Sequence, residues 1–204
     1  RIQQQKANEL NNKIQRLIAE EIRKAEEAQK KKEPKQTSTE SKTSKQGTAP
    51  KTTAAVSTLT KEEALISGNF ASNAGRLPWP TDRGFISGHY GVQPHPVLKH
   101  VTTNNKGIYI QTPAGTNARA VFEGEVTQRF SIPGSNNAVI IKHGDYRTVY
   151  ANLTSIYVNV GDKVSAKQSI GKIYTDDEND NKTELYFQIW RGKELLNPEG
   201  WIAK

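Results

Sequence analysis

Hydrophobic positions change texture three times along the chain. Over residues 1–32 they form a thin helical stripe: Ala7, Leu10, Ile14 and Leu17 step by three and four residues, and the stripe then slides to Ile18, Ile22 and Ala25. This stretch has no Gly or Pro and is rich in Gln, Glu, Lys, Ala, Leu and Ile, so it predicts one continuous helix. Such a helix is about 48 Å long at 1.5 Å per residue, and its stripe has the look of the end of a coiled coil that must pack on something. Residues 33–58 carry Pro34 and Pro50 among Lys, Ser and Thr with almost nothing to bury, which predicts a flexible linker. A short helix is predicted over 59–75. Thr60 with Glu63 makes a capping box, Leu65, Ile66 and Phe70 supply an apolar edge, and Asn73 and Gly75 are stop signals.

From 76 to 204 the pattern is β: short apolar or alternating runs broken by Gly, Pro and Asn. The expected strands are 84–87, 107–111, 118–131, 137–142, 147–152, 169–174 and 184–191, with turns at Pro133-Gly134, Gly144-Asp145 and Gly161-Asp162. The fold class is therefore mainly β, an antiparallel domain of about 130 residues preceded by a coiled-coil-like helix, with no internal repeat.

Charge changes this picture little. The net charge of +8 sits mostly in residues 1–60, which hold 13 Lys/Arg against 7 Asp/Glu, while residues 61–204 hold 16 against 14. The front segment has no aromatic residues interleaved with its cations, so nucleic acid is not the expected partner. The absence of Cys excludes disulfides and thiolate metal sites. With no Met, the sequence is expected to be part of a longer chain with any export signal upstream.

Candidate metal chemistry is thin. His89, His95, His100 and His143 form no His-x-His or His-x-x-x-His pair, and they are expected to be ordinary surface or turn residues. The Asp176, Asp177, Glu178, Asp180 cluster lacks the glycine and the closing glutamate of a calcium loop, and is expected to be a solvated acidic turn. No cofactor is expected.

Six blocks in order carry a resemblance. RLPWPTDRGFISGHYG, NNKGIYI, AVFEGEVT, AVIIKHGDYRTVYANL, VNVGDKVSAKQSIGKI and ELYFQIWRGKELLNPEGWI together resemble the lysostaphin-type (LytM) zinc metallopeptidases that cut peptidoglycan cross-links. The resemblance implies a LytM-type antiparallel sheet over 76–204. Active members carry His-x-Gly-x-Asp on the first metal-site strand, Tyr-Ala-His-Leu later, and His-x-His on the last strand. Here the metal positions become Asn105, Tyr109 and Tyr186, and the catalytic histidines become Asn152 and Glu184. Amides and phenols do not replace imidazoles for zinc at neutral pH, so the resemblance implies a fold with no catalytic residue and no metal.

The coiled coil in front and the closing tail are similar to the EnvC-type murein hydrolase activators of the Gram-negative envelope. That subgroup implies a non-enzymatic role in septum splitting during cell division. A cell-wall amidase, an N-acetylmuramoyl-L-alanine amidase, binds in the vacated groove, and an upstream membrane regulator acts through the coiled coil in the periplasm. Lys106 and Tyr186 match groove residues. Trp190 stands where the activators usually have Arg, with Arg191 next, so the contact is either replaced by an aromatic anchor or shifted to the other strand face. Either Thr60–Asn73 or the long helix is expected to lie over the groove and restrain it. The alternatives are a peptidoglycan-binding scaffold module and a metallo-endopeptidase.

Overall fold

The computed structural model describes residues 2–31, 59–95, 97–133 and 136–204; the linker expected at 33–58 and the tip of the turn at Gly134 lie outside them. Helix α1 spans Ile2–Lys30 and α2 spans Lys61–Ser72. The strands are β1 (Phe85–Gly88), β2 (Gly91–Pro94), β3 (Thr102–Asn105), β4 (Ile108–Thr112), β5 (Asn117–Arg119), β6 (Gly124–Ser131) and β7 (Asn137–His143). They continue as β8 (Tyr146–Ile156), β9 (Lys163–Val164), β10 (Ser169–Ile173), β11 (Thr175–Asp176), β12 (Lys182–Arg191) and β13 (Glu194–Leu196), and a 3-10 turn over Pro198–Gly200 closes the fold. No described helix is long and apolar enough to cross a membrane.

An antiparallel sheet in the order β1-β4-β12-β8-β7-β6-β9 forms the body, with β5 attached through β10, which also pairs with β8. Side chains alternate across it. Ile108, Ile110, Val139, Ile141, Tyr150, Leu185, Phe187 and Ile189 point into the main core. Ala138, Ile140, Val149, Ala151, Tyr186 and Trp190 point the other way, and α1 covers them. Both faces of the central strands are thus buried, which is why β12 is an almost unbroken run of buried positions.

The stripe of α1 is consumed by its own domain. Ile14 and Ile18 are completely or almost completely buried against Ile140, Val149 and Trp190, with Leu10, Leu17 and Ile22 at the margins. Over residues 10–22 the apolar face of α1 thus has this sheet for a partner.

Helix α2 starts as expected, with Thr60 Oγ1 accepting from Glu63 N at 3.2 Å and the Glu63 carboxylate accepting from Thr60 N at 2.9 Å. Its buried face differs from the expected one. Ser67 and Phe70 go in, whereas Leu65 is 66% exposed. The rotation is set by the β7–β8 turn, where Gly144 at φ +67° lies so close to the Glu63 carbonyl and Ser67 that any side chain there would collide with helix backbone. Lys142 pairs with Glu63 at 2.5 Å alongside. Burial pushes the Glu63 carboxyl up, but the Lys142 ammonium and the Thr60 N–H together outweigh it and hold the group below its usual range. Phe70 then stacks on His143 and Tyr146 with ring centroids 4.9 and 4.7 Å away. Phe70→Ala should lower stability by about 3–5 kcal/mol, seen as a loss of roughly 10 °C in melting temperature. A fall of only a degree or two would mean that α2 is not part of the core.

The strand pattern was mostly visible in sequence, but the short strands β9, β11 and β13 were not expected, and two larger differences stand beside them. The run expected over 118–131 is split by the Ala120–Glu123 corner into β5 and β6, because Ala120 N donates to Gln168 O and Ala120 O accepts from Lys167 N, both in the loop before β10. The β2–β3 hairpin, a separate two-stranded sheet, was not expected.

Candidate functional site: a helix-covered groove

The positions that the resemblance aligns with metal ligands, Asn105, Tyr109 and Tyr186, meet where β3, β4 and β12 converge beneath α1. Tyr109 and Tyr186 are direct cross-strand partners, with rings 4.8 Å apart. Asn105 ends β3, and the Lys106-Gly107 turn separates it from Tyr109, so the two occupy different strands and not the single strand expected. Gly107 is required there because a side chain would run into the Phe187 carbonyl of β12. Asn105, Lys106, Tyr109 and Tyr186 line one cleft of about 190 Å³ together with Asn8 and Asn11 of α1.

None of these groups suits zinc. Burial, followed by the charge of Glu184, pushes the Tyr109 phenol up to about 12. Burial and the neighbouring Tyr109 raise Tyr186 further still. Both phenols are neutral over the whole physiological range, and a neutral phenol is a poor ligand for a divalent ion. The Asn105 amide donates to His89 O at 2.9 Å. Asn152, left-handed at φ +71°, donates to Glu184 O at 2.6 Å and accepts from Asn136 Nδ2 at 2.6 Å, so it ties strands together. Glu184 accepts from Ser87 Oγ at 2.6 Å and pairs with Lys182 at 3.2 Å. Among the described residues no three His, Cys, Asp or Glu side chains are grouped to hold a metal. Zinc does not fit this donor set.

Three histidines behave as surface groups. His89 pairs with Glu199 at 2.6 Å, His95 accepts from the backbone N–H groups of Val97 and Leu98, and His100 sits in the exposed loop that follows. His143 does not. It is fully buried on the core face, with Nδ1 2.6 Å from Glu123 O and Nε2 2.8 Å from Thr148 Oγ1, and burial depresses its pKa to about 4. The surface-or-turn expectation fails for this residue because strand alternation, not the neighbouring turn, sets its direction. The Asp176–Asp180 segment is an exposed turn in which Glu178 N donates to Asp176 Oδ1.

The groove floor carries a line of polar side chains along one face of β12. Trp190 Nε1 donates to Gln188 Oε1 at 2.9 Å, and Gln188 Nε2 donates to Tyr186 Oη at 2.9 Å. Both Tyr186 Oη and Gln188 Nε2 then donate to a single acceptor, Asn11 Oδ1 on α1, at 2.8 and 2.7 Å. On the neighbouring strand Arg147 pairs with Glu21 of α1 at 2.8 Å, with side chains only 5% and 14% exposed. Sequence reasoning missed Arg147, Gln188, Asn11 and Glu21. The alternation of β12 could have exposed Gln188, an amide between two aromatic residues on a face meant to be buried.

Of the groove residues named from sequence, Lys106 is exposed at the cleft mouth and Tyr186 and Trp190 lie on the floor. Arg191 is elsewhere: it points to the opposite face, with its guanidinium 5.8 Å from the Tyr146 ring. The cation beside position 190 is instead Arg147, which sits directly across the β8–β12 pair from Trp190 and shares its face. The helix over this groove is α1, while α2 packs on the core side, so Thr60–Asn73 is not its cover.

Known proteins share this framework. Residues 103–198 match peptidase family M23. The murein hydrolase activator EnvC of Escherichia coli (strain K12) is 27% identical over 202 residues, which is 98% of this chain and 45% of that protein. The peptidoglycan DD-endopeptidase ShyA of Vibrio cholerae serotype O1 is 40% identical over 78 residues, 38% of this chain and 18% of that protein. The structure of Helicobacter pylori Csd3 from an orthorhombic crystal has the same fold at a TM-score of 0.52 and 24% identity, over 63% of this chain and 35% of that one. The chain therefore spans less than half the length of these relatives.

Proposed function

Because the chain carries a LytM-type domain of the peptidase family M23 kind and resembles the EnvC-type activators, we propose that it is a non-catalytic activator of a cell-wall N-acetylmuramoyl-L-alanine amidase. It acts in the periplasm during septum splitting, and it works by docking the amidase in the vacated groove. The observation that carries this reading is the pair Tyr109–Tyr186. Two neutral phenols, Tyr186 buried and Tyr109 half-buried, in tilted contact where metal ligands stand in active relatives leave a concave surface of aromatic rings and polar side chains, which suits a protein segment and not a metal-activated water.

In this reading α1 restrains the groove. It occupies the same floor a partner needs, through Ile14, Ile18 and the Asn11 and Glu21 contacts. The upstream regulator acts by moving α1 away. Movement of α1 need not unseat α2, whose Phe70 belongs to the main core, which contains no residue of α1.

The test is dye release from labelled peptidoglycan by a periplasmic amidase with and without the chain. Alone, the chain should release nothing and purify without stoichiometric zinc; with α1 displaced, it should stimulate the amidase. Lys106→Glu should abolish stimulation, and it is the cleaner probe because Lys106 is exposed at the cleft mouth. Tyr186→Ala is less clean, since it also removes an anchor of α1. Release by the chain alone, with bound zinc, would restore the endopeptidase reading. Binding to sacculi with no effect on amidase would favour the scaffold.

A further inference from the structure

The way α1 sits on the sheet specifies the chemistry of whatever replaces it. Most of the covered surface is apolar and undemanding, but two places are not. At one, Tyr186 Oη and Gln188 Nε2 converge on a single acceptor, and Gln188 is fully buried with its other valences already used by Tyr186 and Trp190. At the other, Arg147 lies within an apolar surround that includes Val149 and Trp190 and is neutralised by Glu21. A segment that covered this face without supplying both groups would bury unpaired donors and an unpaired guanidinium, which is strongly unfavourable.

Resting on the activator reading, we infer that the groove selects an amphipathic helix by a polar code. The code is one hydrogen-bond acceptor for Tyr186 and Gln188, and one carboxylate for Arg147 ten residues further on. In α1 these are Asn11 and Glu21, about 15 Å apart along the axis and on the same face as Leu10, Ile14 and Ile18. The pairing in α1 is itself imperfect. Glu21 meets Arg147 through Oε2, whereas its Oε1 is buried with no hydrogen-bond partner among the described residues. A partner helix whose carboxylate meets the Arg147 guanidinium through both oxygens would compete with α1 at this point. Arg147 and Gln188 are thereby the specificity determinants of the groove.

The experiment uses the full chain carrying Ile14→Asp and Ile18→Asp, which frees the face, and a labelled peptide of residues 2–31 as the probe. Positions 11 and 21 of the peptide are randomised and binders are selected. Asp or Glu should be enriched at position 21 and amide or carboxylate side chains at position 11, and Glu21→Ala in the peptide should weaken binding on the order of 100-fold. On a chain that also carries Arg147→Glu, the selection at position 21 should switch to Lys or Arg, and capture of amidase should fall in parallel. The first selection needs no change to the sheet, so it stands even if Arg147→Glu fails to fold. No preference at position 21 on the released chain overturns the inference. So does amidase capture that is indifferent to Arg147→Glu in a chain shown to be folded. Because the peptide arm contains no amidase, its success alongside a failure of stimulation would sink the activator reading alone.

Discussion

A chain carrying Ile14→Asp and Ile18→Asp should lose its hold on α1 while keeping its β core. Burying each isoleucine contributes about 1.5–3 kcal/mol, and placing a carboxylate in the same site against Val149 and Trp190 is worse than leaving it in water. The two changes together should remove on the order of 5 kcal/mol or more from docking, enough to convert a covered groove to an open one. The main core contains no residue of α1, so its melting temperature should change little. Amide exchange in α1 should rise toward that of an isolated helix, protease should cut within residues 2–31, and an environment-sensitive dye should bind the bared Phe130, Val149 and Trp190 surface. Amidase stimulation should increase. Unchanged exchange protection in α1 would show that other contacts hold it, and increased exposure without stimulation would separate docking from function. Truncation is a second route, but it must stop before residue 59. Removing residues 1–75 would also strip Phe70 and α2 from the core and confound release with unfolding.

How far the sequence could be read depends on the distance over which each signal acts. The Thr60–Glu63 box was legible because a cap is closed within four residues. The β texture and most strands were legible because alternation and turn residues are local. The destination of the α1 stripe was not. A thin run of Leu and Ile at helical spacing says that something will be buried and is silent on whether a second helix or a sheet receives it; that was settled by Ile140 and Val149, more than 120 residues away. The same distance hid the pairing of Glu21 with Arg147, and it left the direction of Arg191 open until the register of β12 against β8 placed it on the other face. Leu65 was misread for a related reason. Its helix is turned by a glycine at position 144, on a different element.

Stability of the domain should fall in mild acid because of His143. Its Nδ1 faces the Glu123 carbonyl, which can only accept, so Nδ1 carries the proton and Nε2 accepts from the Thr148 hydroxyl in a neutral ring. Phe70 stacks on one side and Phe122 meets it edge-on, so the ring is held among aromatic faces away from solvent, which disfavours its charged form. Burial accordingly lowers the pKa from 6.5 to about 4 in the folded chain. The unfolded chain therefore takes up a proton as the pH drops below 6.5 while the folded chain does not. The contribution of neutral His143 is complete above pH 6.5, declines through the window from 6.5 to 4, and is gone below 4. Its full size is about 3 kcal/mol, since each tenfold difference in proton affinity between the folded and unfolded chains contributes roughly 1.4 kcal/mol. Urea midpoints measured at pH 7.5, 6, 5 and 4 should show the decline, and they should show it before the Glu63–Lys142 pair begins to lose its own contribution near the carboxylate range. His143→Gln should be less stable at pH 7.5 and should decline less than the parent chain between pH 6.5 and 5, since the two proteins differ only at this residue. Equal slopes for the two proteins would mean that His143 is hydrated or charged in the folded state, and with it that the Phe70 stack admits water.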